Sequence, residues 1–220
     1  MLLRDKIYHS IRDAILRCEF EPGEELREQI LAARYRVSRS PIRESLLRLE
    51  REDLVTVLPR RGYRVRPISI PDITNLFELR LLIEPSCAVA AARADDAKLQ
   101  TLDQFRDFIP GDDGGFTFLE YNMTFHSTVA DLSGNRRLAS VGLELAEQSR
   151  RLKRARGTLT EAAMQEACAD HNAIIAAIQA HDAATAAHLS RQHVQAAWAG
   201  VLGQDRDQPG WQPAASPGFS

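Results

Sequence analysis

Cysteine is scarce in this chain of 220 residues, and the three thiols, Cys18, Cys87 and Cys168, are odd in number and far apart. They form no CxxC pair, which excludes a disulfide framework and a cysteine-built metal knuckle. All three read as buried thiols. No run of 18 apolar residues occurs, so no membrane-spanning helix and no membrane partner are expected. The opening MLLRDKIYHSIRDAIL carries acids and reads as an amphipathic helix, not as a signal or transit peptide, leaving the cytoplasm as the default location. No internal repeat is visible. The motif HExxH is absent, so nothing ties an acid to the histidines in a known hydrolytic pattern.

What is present is divided unevenly. The net charge of −2 hides a basic segment, residues 1–66 at +4, followed by an acidic remainder at −6. Opposite signs in two segments suggest a nucleic-acid-facing module joined to a module with another task. Composition (44% hydrophobic, 26% charged) suits one or two soluble domains with a sizeable core.

Three helical patterns open the chain. Over Asp5–Glu19, Ile7, Ile11, Ala14, Ile15 and Cys18 recur at three- and four-residue steps. Pro22-Gly23 breaks this run, and a short helix over about 26–35 follows, with Ile30, Leu31 and Ala33 inward. A third helix begins at Ser40-Pro41, serine as N-cap and proline at the first helical position, with Ile42, Leu46, Leu47 and Leu49 as its stripe. The period then changes: LVTVLPRRGYRVRP reads as two strands, about 55–58 and 63–66, around a Pro-Arg-Arg-Gly turn. Three helices and a basic hairpin outline a winged helix-turn-helix over residues 1–67.

Pro67 and Pro71 mark a boundary, beyond which the pattern is helical throughout. Helices are expected near 71–94, 97–108, 116–132, 136–156, 160–180 and 183–202, an all-α antiparallel bundle over residues 72–203. The tail 204–220, rich in Pro, Gly and Ser, reads as disordered. The expected fold class is thus mostly α, a winged helix-turn-helix followed by a helical bundle.

The stretch RYRVSRSPIRESLLRLE concentrates arginine where the third helix begins. In a helix-turn-helix the second helix enters the DNA major groove with its leading residues against base edges. Arg39 and Arg43 project from that end, and an arginine fork fits guanine O6 and N7. Ser38 and Ser40 suit phosphate. Arg60, Arg61 and Gly62 form a hairpin tip with charge for phosphate and no bulk at the glycine. A solvated helix face is the bland alternative. In order, PGEELREQILAARYRVSRSPIRESLLRLEREDLV and RRGYRV resemble the DNA-binding domain of GntR-type transcription regulators over about 60 residues. The resemblance implies base reading by Arg39 and Arg43, phosphate contacts by the serines, and approach of Gly62 to the minor groove. Gln29 stands where members often carry arginine, and Arg36 where the usual residue is glycine; Gln29 is therefore an altered DNA contact.

Histidine is also sparse, six in all. His126, His171 and His193 each share a helix face with apolar residues and should point into the bundle; His9, His181 and His188 should be exposed. Bundle cores can hold metals between facing helices, and three imidazoles with the Asn122 amide oxygen would suit Zn²⁺ and leave a position open. Satisfied core histidines are the alternative. The second half is similar to the FCD ligand-binding domain of the FadR-like branch, on ELRLLIEPSCAVAAA, on Asn122-x-x-Phe-His126, on DHNAIIAAI and on AAHLSRQHV. That resemblance implies a divalent transition metal (zinc first, nickel or manganese next) on Asn122, His126, His171 and His193, with Asn122 replacing the family's aspartate. It also implies a small carboxylate effector paired with an arginine, placed here on Arg80 with Glu84 orienting it; an Arg80–Glu84 surface pair is the competing reading. The run RRLKRARG, 150–157, reads as a solvated face or a source of another anion-facing arginine.

The expectation is a homodimeric regulator, repressor by default, on double-stranded operator DNA, not an enzyme. A metal-dependent hydrolase and a metal-free sensor of an acyl-type ligand are its rivals.

Overall fold

The computed structural model describes residues 2–111, 116–157 and 159–203. The tail from Gln204 and the Gly114-Gly115 break lie outside the described residues.

Helix α1, Leu3–Leu16, buries Ile7, Ile11, Ala14 and Ile15 as the spacing requires. It ends two residues before Cys18, which takes a left-handed conformation (φ 53°) and leaves the stripe. Cys18 is consequently half-buried, while Cys87 and Cys168 are buried. Helix α2, Glu28–Tyr35, starts later than its apolar residues suggest. Its phase turns Leu31 inward, with Ala32 and Tyr35 packed beside it, and leaves Ile30 62% exposed and Ala33 exposed. Arg36, in the left-handed region (φ 55°), caps it.

Helix α3, Arg39–Arg51, begins two residues earlier than expected, with Ser38 rather than Ser40 in the extended cap position, so that Pro41 is its third residue and not its first. Pro41 still falls in the first turn, where an N–H would have no helical acceptor. The buried stripe is Ile42, Ser45, Leu46 and Leu49. Leu47 is 40% exposed, and Ser45 takes the inward place by donating to the Pro41 carbonyl at 2.7 Å.

The wing has three strands, not two. Strands β2, Val55–Leu58, and β3, Gly62–Val65, form the expected antiparallel hairpin, and a two-residue strand β1, Glu25–Leu26, adds to the other edge of β3. Leu26 faces Tyr63 and Val57 pairs with Tyr63 from the other side. This close approach makes glycine necessary at position 62: φ is +111°, and a Cβ would lie 2.6 Å from the Leu26 carbonyl oxygen.

The chain then enters α4, Ile70–Ala91, through a capping box in which Ser69 and Asp72 satisfy each other's backbone N–H groups. Pro85 inside α4 cannot donate to the Leu81 carbonyl, and Arg191 reaches that oxygen at 3.5 Å. The single helix expected over 97–108 is a four-residue α5, Asp96–Leu99, continued by a 3-10 stretch, Gln100–Phe105. Helices α6 (Phe116–Leu132), α7 (Arg136–Arg156), α8 (Glu161–Gln179) and α9 (Ala183–Gly203) complete the bundle. Asn135 caps the start of α7 and left-handed Gly157 its end. Gly142 brings α7 against α6, because a Cβ there would collide with Ala130.

Separate apolar clusters hold the two parts: Ile11, Ile15, Leu46 and Val65 in the first; Phe118, Phe125, Ile175 and Ile178 in the second. A third joins α4, α7 and α9 through Phe77, Leu145 and Val194, with Trp198 stacked on Phe77. α7 also touches the first part. Arg12 of α1 forks onto Glu147 at 2.6 and 3.1 Å, and Arg151 donates to the Arg66 carbonyl at 2.6 Å.

Candidate functional site

His126 on α6, His171 on α8 and His193 on α9 meet inside the bundle, each offering a nitrogen within 4.8 Å of the others. The opposite nitrogen of each ring is held. His126 Nδ1 lies 3.2 Å from Glu84, His193 Nδ1 3.1 Å from Asp170, and His171 Nδ1 3.1 Å from the Tyr121 hydroxyl. Carboxylates accept protons, so Nδ1–H donates to Glu84 and to Asp170, which fixes those tautomers and leaves the Nε2 lone pairs facing inward. The Nε2 atoms of His171 and His193 are 3.4 Å apart, and His126 Nε2 is buried without a partner.

Between His171 and His193 either a proton on His171 Nε2 or a bound cation can join the two nitrogens, since the Tyr121 hydroxyl can donate to or accept from His171 Nδ1. Two nitrogens each about 2.0–2.1 Å from one tetrahedral ion are about 3.3 Å apart, and the His171–His193 spacing fits. These histidines can therefore hold a metal ion. Asn122, one turn before His126 on α6, is fully buried; its Oδ1 accepts from Lys153 Nζ at 3.3 Å and its Nδ2 has no partner.

Burial pushes all three imidazoles down. His171 lies well below its usual range, its histidine neighbours adding to the effect. His193 falls to about 4 although Asp170 opposes the shift, and His126 falls although Glu84 opposes it. Neutral rings are the form that ligates metal. Burial alone would raise Glu84, but Arg80 and His126 hold it well below the carboxylate range. Burial, and then Arg80, lower Lys153 to about 7.

Arg80 is 1% exposed, so its pairing with Glu84 is a buried fork and not a surface pair. Arg80 Nη1 remains unpartnered. Arg80 lies outside the lining of a cavity of about 340 Å³ beside the cluster; His193, Asp170 and Lys153 line it, with Phe118, Leu152 and Ala167 among the apolar wall. The run 150–157 is not a solvated face: Arg150, Arg151 and Leu152 are buried, and Arg150 pairs with Glu120 at 2.9 Å. Of its cations, Lys153 and half-buried Arg156 line that cavity, and Lys153 also bonds Asn122. Reading Leu145, Ser149 and Leu152 as one inward stripe of α7 would have placed Lys153 beside it. As expected, His9, His181 and His188 are exposed.

At the other end of the molecule, Ser38, Arg39, Ser40 and Arg43 are exposed at the start of α3, and Gln29 is exposed on α2. Arg39 makes no ion pair among the described residues. Arg43 is different: its Nε and Nη2 fork onto Glu28, both at 2.8 Å, and its side chain is 61% exposed. The edge that would grip a guanine is shared with this carboxylate, so base contact by Arg43 requires exchange. Glu28 is correspondingly lowered, the Arg43 bond being the main cause. Arg60 is exposed at the hairpin tip and Arg61 pairs with Glu25 at 2.9 Å. Gly62 is half-buried beneath β1, so its missing side chain serves the sheet before any groove.

A winged helix-turn-helix joined to a helical bundle with an internal polar cluster defines a class, the two-part transcription regulator. Residues 3–65 match the family described as bacterial regulatory proteins, gntR family, and residues 75–196 match the FCD domain. The chain belongs to the GntR family of DNA-binding transcription regulators and carries an FCD domain. It is 29% identical to the HTH-type transcriptional repressor GlaR of Escherichia coli K12 over 85% of this chain and 90% of that protein. It is 33% identical to the Nta operon transcriptional regulator of Aminobacter aminovorans over 60% of this chain and 64% of that protein. Among solved structures, E. coli McbR/YncC superposes with a TM-score of 0.80 at 18% identity, over 93% of this chain and 99% of that one. A GntR structure from Rhodococcus sp. RHA1 gives 0.74 at 24% identity, over 91% and 97%. Those two likenesses speak for the fold. The relatives are named as regulators, not enzymes, which removes the hydrolase reading. Among the described residues no helix is long and apolar enough to cross a membrane.

Proposed function

We propose that this regulator represses transcription by binding an inverted-repeat operator as a homodimer, and that a small organic acid bound in the helical part alters that binding. Residues 1–67 act as the DNA-binding unit and 72–203 as the sensor. The observation that carries the reading is the convergence of three histidine Nε2 atoms beside a 340 Å³ cavity, each ring braced from behind. A divalent transition metal, zinc first with nickel or manganese as alternatives, would sit on His126, His171 and His193, with the Asn122 amide as a neutral fourth donor. Bound there, the metal supplies positive charge for an anionic effector. Glu84, Asp170 and Tyr121 orient the imidazoles, and Arg80 holds Glu84 in its ionised form. Repression is supported by the name of the GlaR relative. Exposed Leu79 and Leu82 on α4 and Leu143 on α7 offer apolar surface for self-association.

On DNA, Arg39 reads a base edge, Arg43 joins it once released from Glu28, and Ser38, Ser40 and Gln29 flank the contact. Arg60, Arg61 and the Gly62 backbone track phosphate from the wing. Selection of bound duplexes from a random pool, followed by fluorescence anisotropy, tests this. Arg39→Ala should cost about 1–3 kcal/mol at one position of each half-site. Arg60→Ala should weaken all sequences alike and reduce the salt slope by about 1. If operator affinity is unmoved by every organic acid that binds the purified protein, the sensor half of the proposal fails.

The neutral Asn122 and the ammonium beside it also favour a second reading, a metal-free sensor. Elemental analysis of native protein separates the two.

A further inference from the structure

The cavity beside the histidines has walls and an end of different chemistry. Phe118, Leu152, Leu159, Ala163, Ala167 and Val201 make its sides apolar. At the cluster end stands Lys153, which bonds Asn122, together with His193. The remaining charged lining is Glu166, which is exposed, Asp170, already bound to His193, and half-buried Arg156.

Lys153 carries three donors, and the Asn122 oxygen at 3.3 Å takes one of them. Among the described residues no carboxylate pairs with it. Lys153 therefore has donors to spare at the polar end of the cavity. Arg80 lies outside this cavity's lining, and Glu84 occupies its Nε and Nη2.

We infer that Lys153 is the residue that receives the effector, and that the effector is a monocarboxylate with an apolar body. This rests on the sensor reading above and narrows it. About 340 Å³, at roughly 30 Å³ per water-sized group, admits on the order of ten non-hydrogen atoms. A straight-chain acid of six carbons or an arylacetate is of that size. The hydroxyls of a sugar acid would lose water against these walls without gaining partners, at about 1–3 kcal/mol each.

Calorimetric titration of the full chain, with and without Zn²⁺, provides the test, using hexanoate, phenylacetate, neutral hexanamide and gluconate. The wild type should bind hexanoate at least about tenfold more tightly than hexanamide, the range of one charge-assisted hydrogen bond. Lys153→Met should bring that ratio to about one through loss of hexanoate affinity, with hexanamide binding that remains measurable reporting an intact cavity. Lys153→Arg should retain the preference for the acid. The inference is overturned by a K153M protein that keeps the acid-to-amide ratio, or by gluconate binding more tightly than hexanoate. Binding of gluconate that shifts operator affinity would spare the sensor reading and end this one. Lys153-dependent binding of hexanoate without any change in operator affinity would do the reverse. If none of the acids binds, both fall.

Discussion

The two parts of the molecule fill their interiors with different material. In residues 3–65 the buried side chains are apolar, with Ser45 the one buried polar residue among those described, and most arginines face outward. In the helical part Arg80, Glu84, Asn122, Arg150, His171 and His193 are buried beside the phenylalanines. An apolar interior is indifferent to ions and small solutes. A polar one is stable only when its charges are matched, so its stability depends on what is bound there. The first part presents its charge to DNA from an apolar core, whereas the second keeps charged and polar groups inside.

The largest expected effect sharpens this contrast. Leu46→Ala should cost about 2–5 kcal/mol through the cavity it leaves in the first part. Arg80→Met should cost about 3–5 kcal/mol by stranding the buried Glu84 carboxylate, and adding Glu84→Gln should recover much of that loss. Chemical denaturation of the three variants measures both, and a double mutant no better than Arg80→Met would break the comparison. Next in size, Zn²⁺ at a hundredfold excess over its dissociation constant should raise apparent stability by about 2.7 kcal/mol. In a thermal-shift assay the rise should vanish in His171→Ala while the response of Leu46→Ala persists. Arg12→Ala removes the fork onto Glu147 and should cost about 1 kcal/mol, the upper end for a partly exposed pair. Its larger consequence should be weaker dependence of operator affinity on effector, read by anisotropy. Smallest of all, Arg36→Gly should stabilise by about 0.5 kcal/mol, left-handed strain relieved less the extra freedom of the unfolded chain.

Elements announced by local signals were legible in the sequence. Helix α7 begins after the Asn135 cap and stops at Gly157, and its limits are those expected. The hairpin was legible from its turn, whereas β1 was not, because two residues acquire strand geometry only by pairing with distant β3. The phase of α2 was lost for a related reason: contact with the rest of the core selects Leu31 over Ile30. The three histidines were legible as inward residues, but their supports were not. Asp170 adjoins His171 in the chain yet braces His193, and Tyr121 adjoins Asn122 yet braces His171. Neighbours on a helix point about 100° apart, so sequence adjacency misleads at this level. Lys153 was hidden among like charges, where composition gives no clue to direction.

One helix lies against both interiors. α7 is roughly 32 Å of continuous rod at 1.5 Å per residue, and Arg151 and Lys153, about 200° apart around it, donate to the Arg66 carbonyl just past the wing and to the Asn122 amide inside the bundle respectively. A rod without a joint cannot tilt at one point and stay still at the other. A shift of this rod at Lys153 is therefore also a shift at Arg66, where the chain leaves the wing.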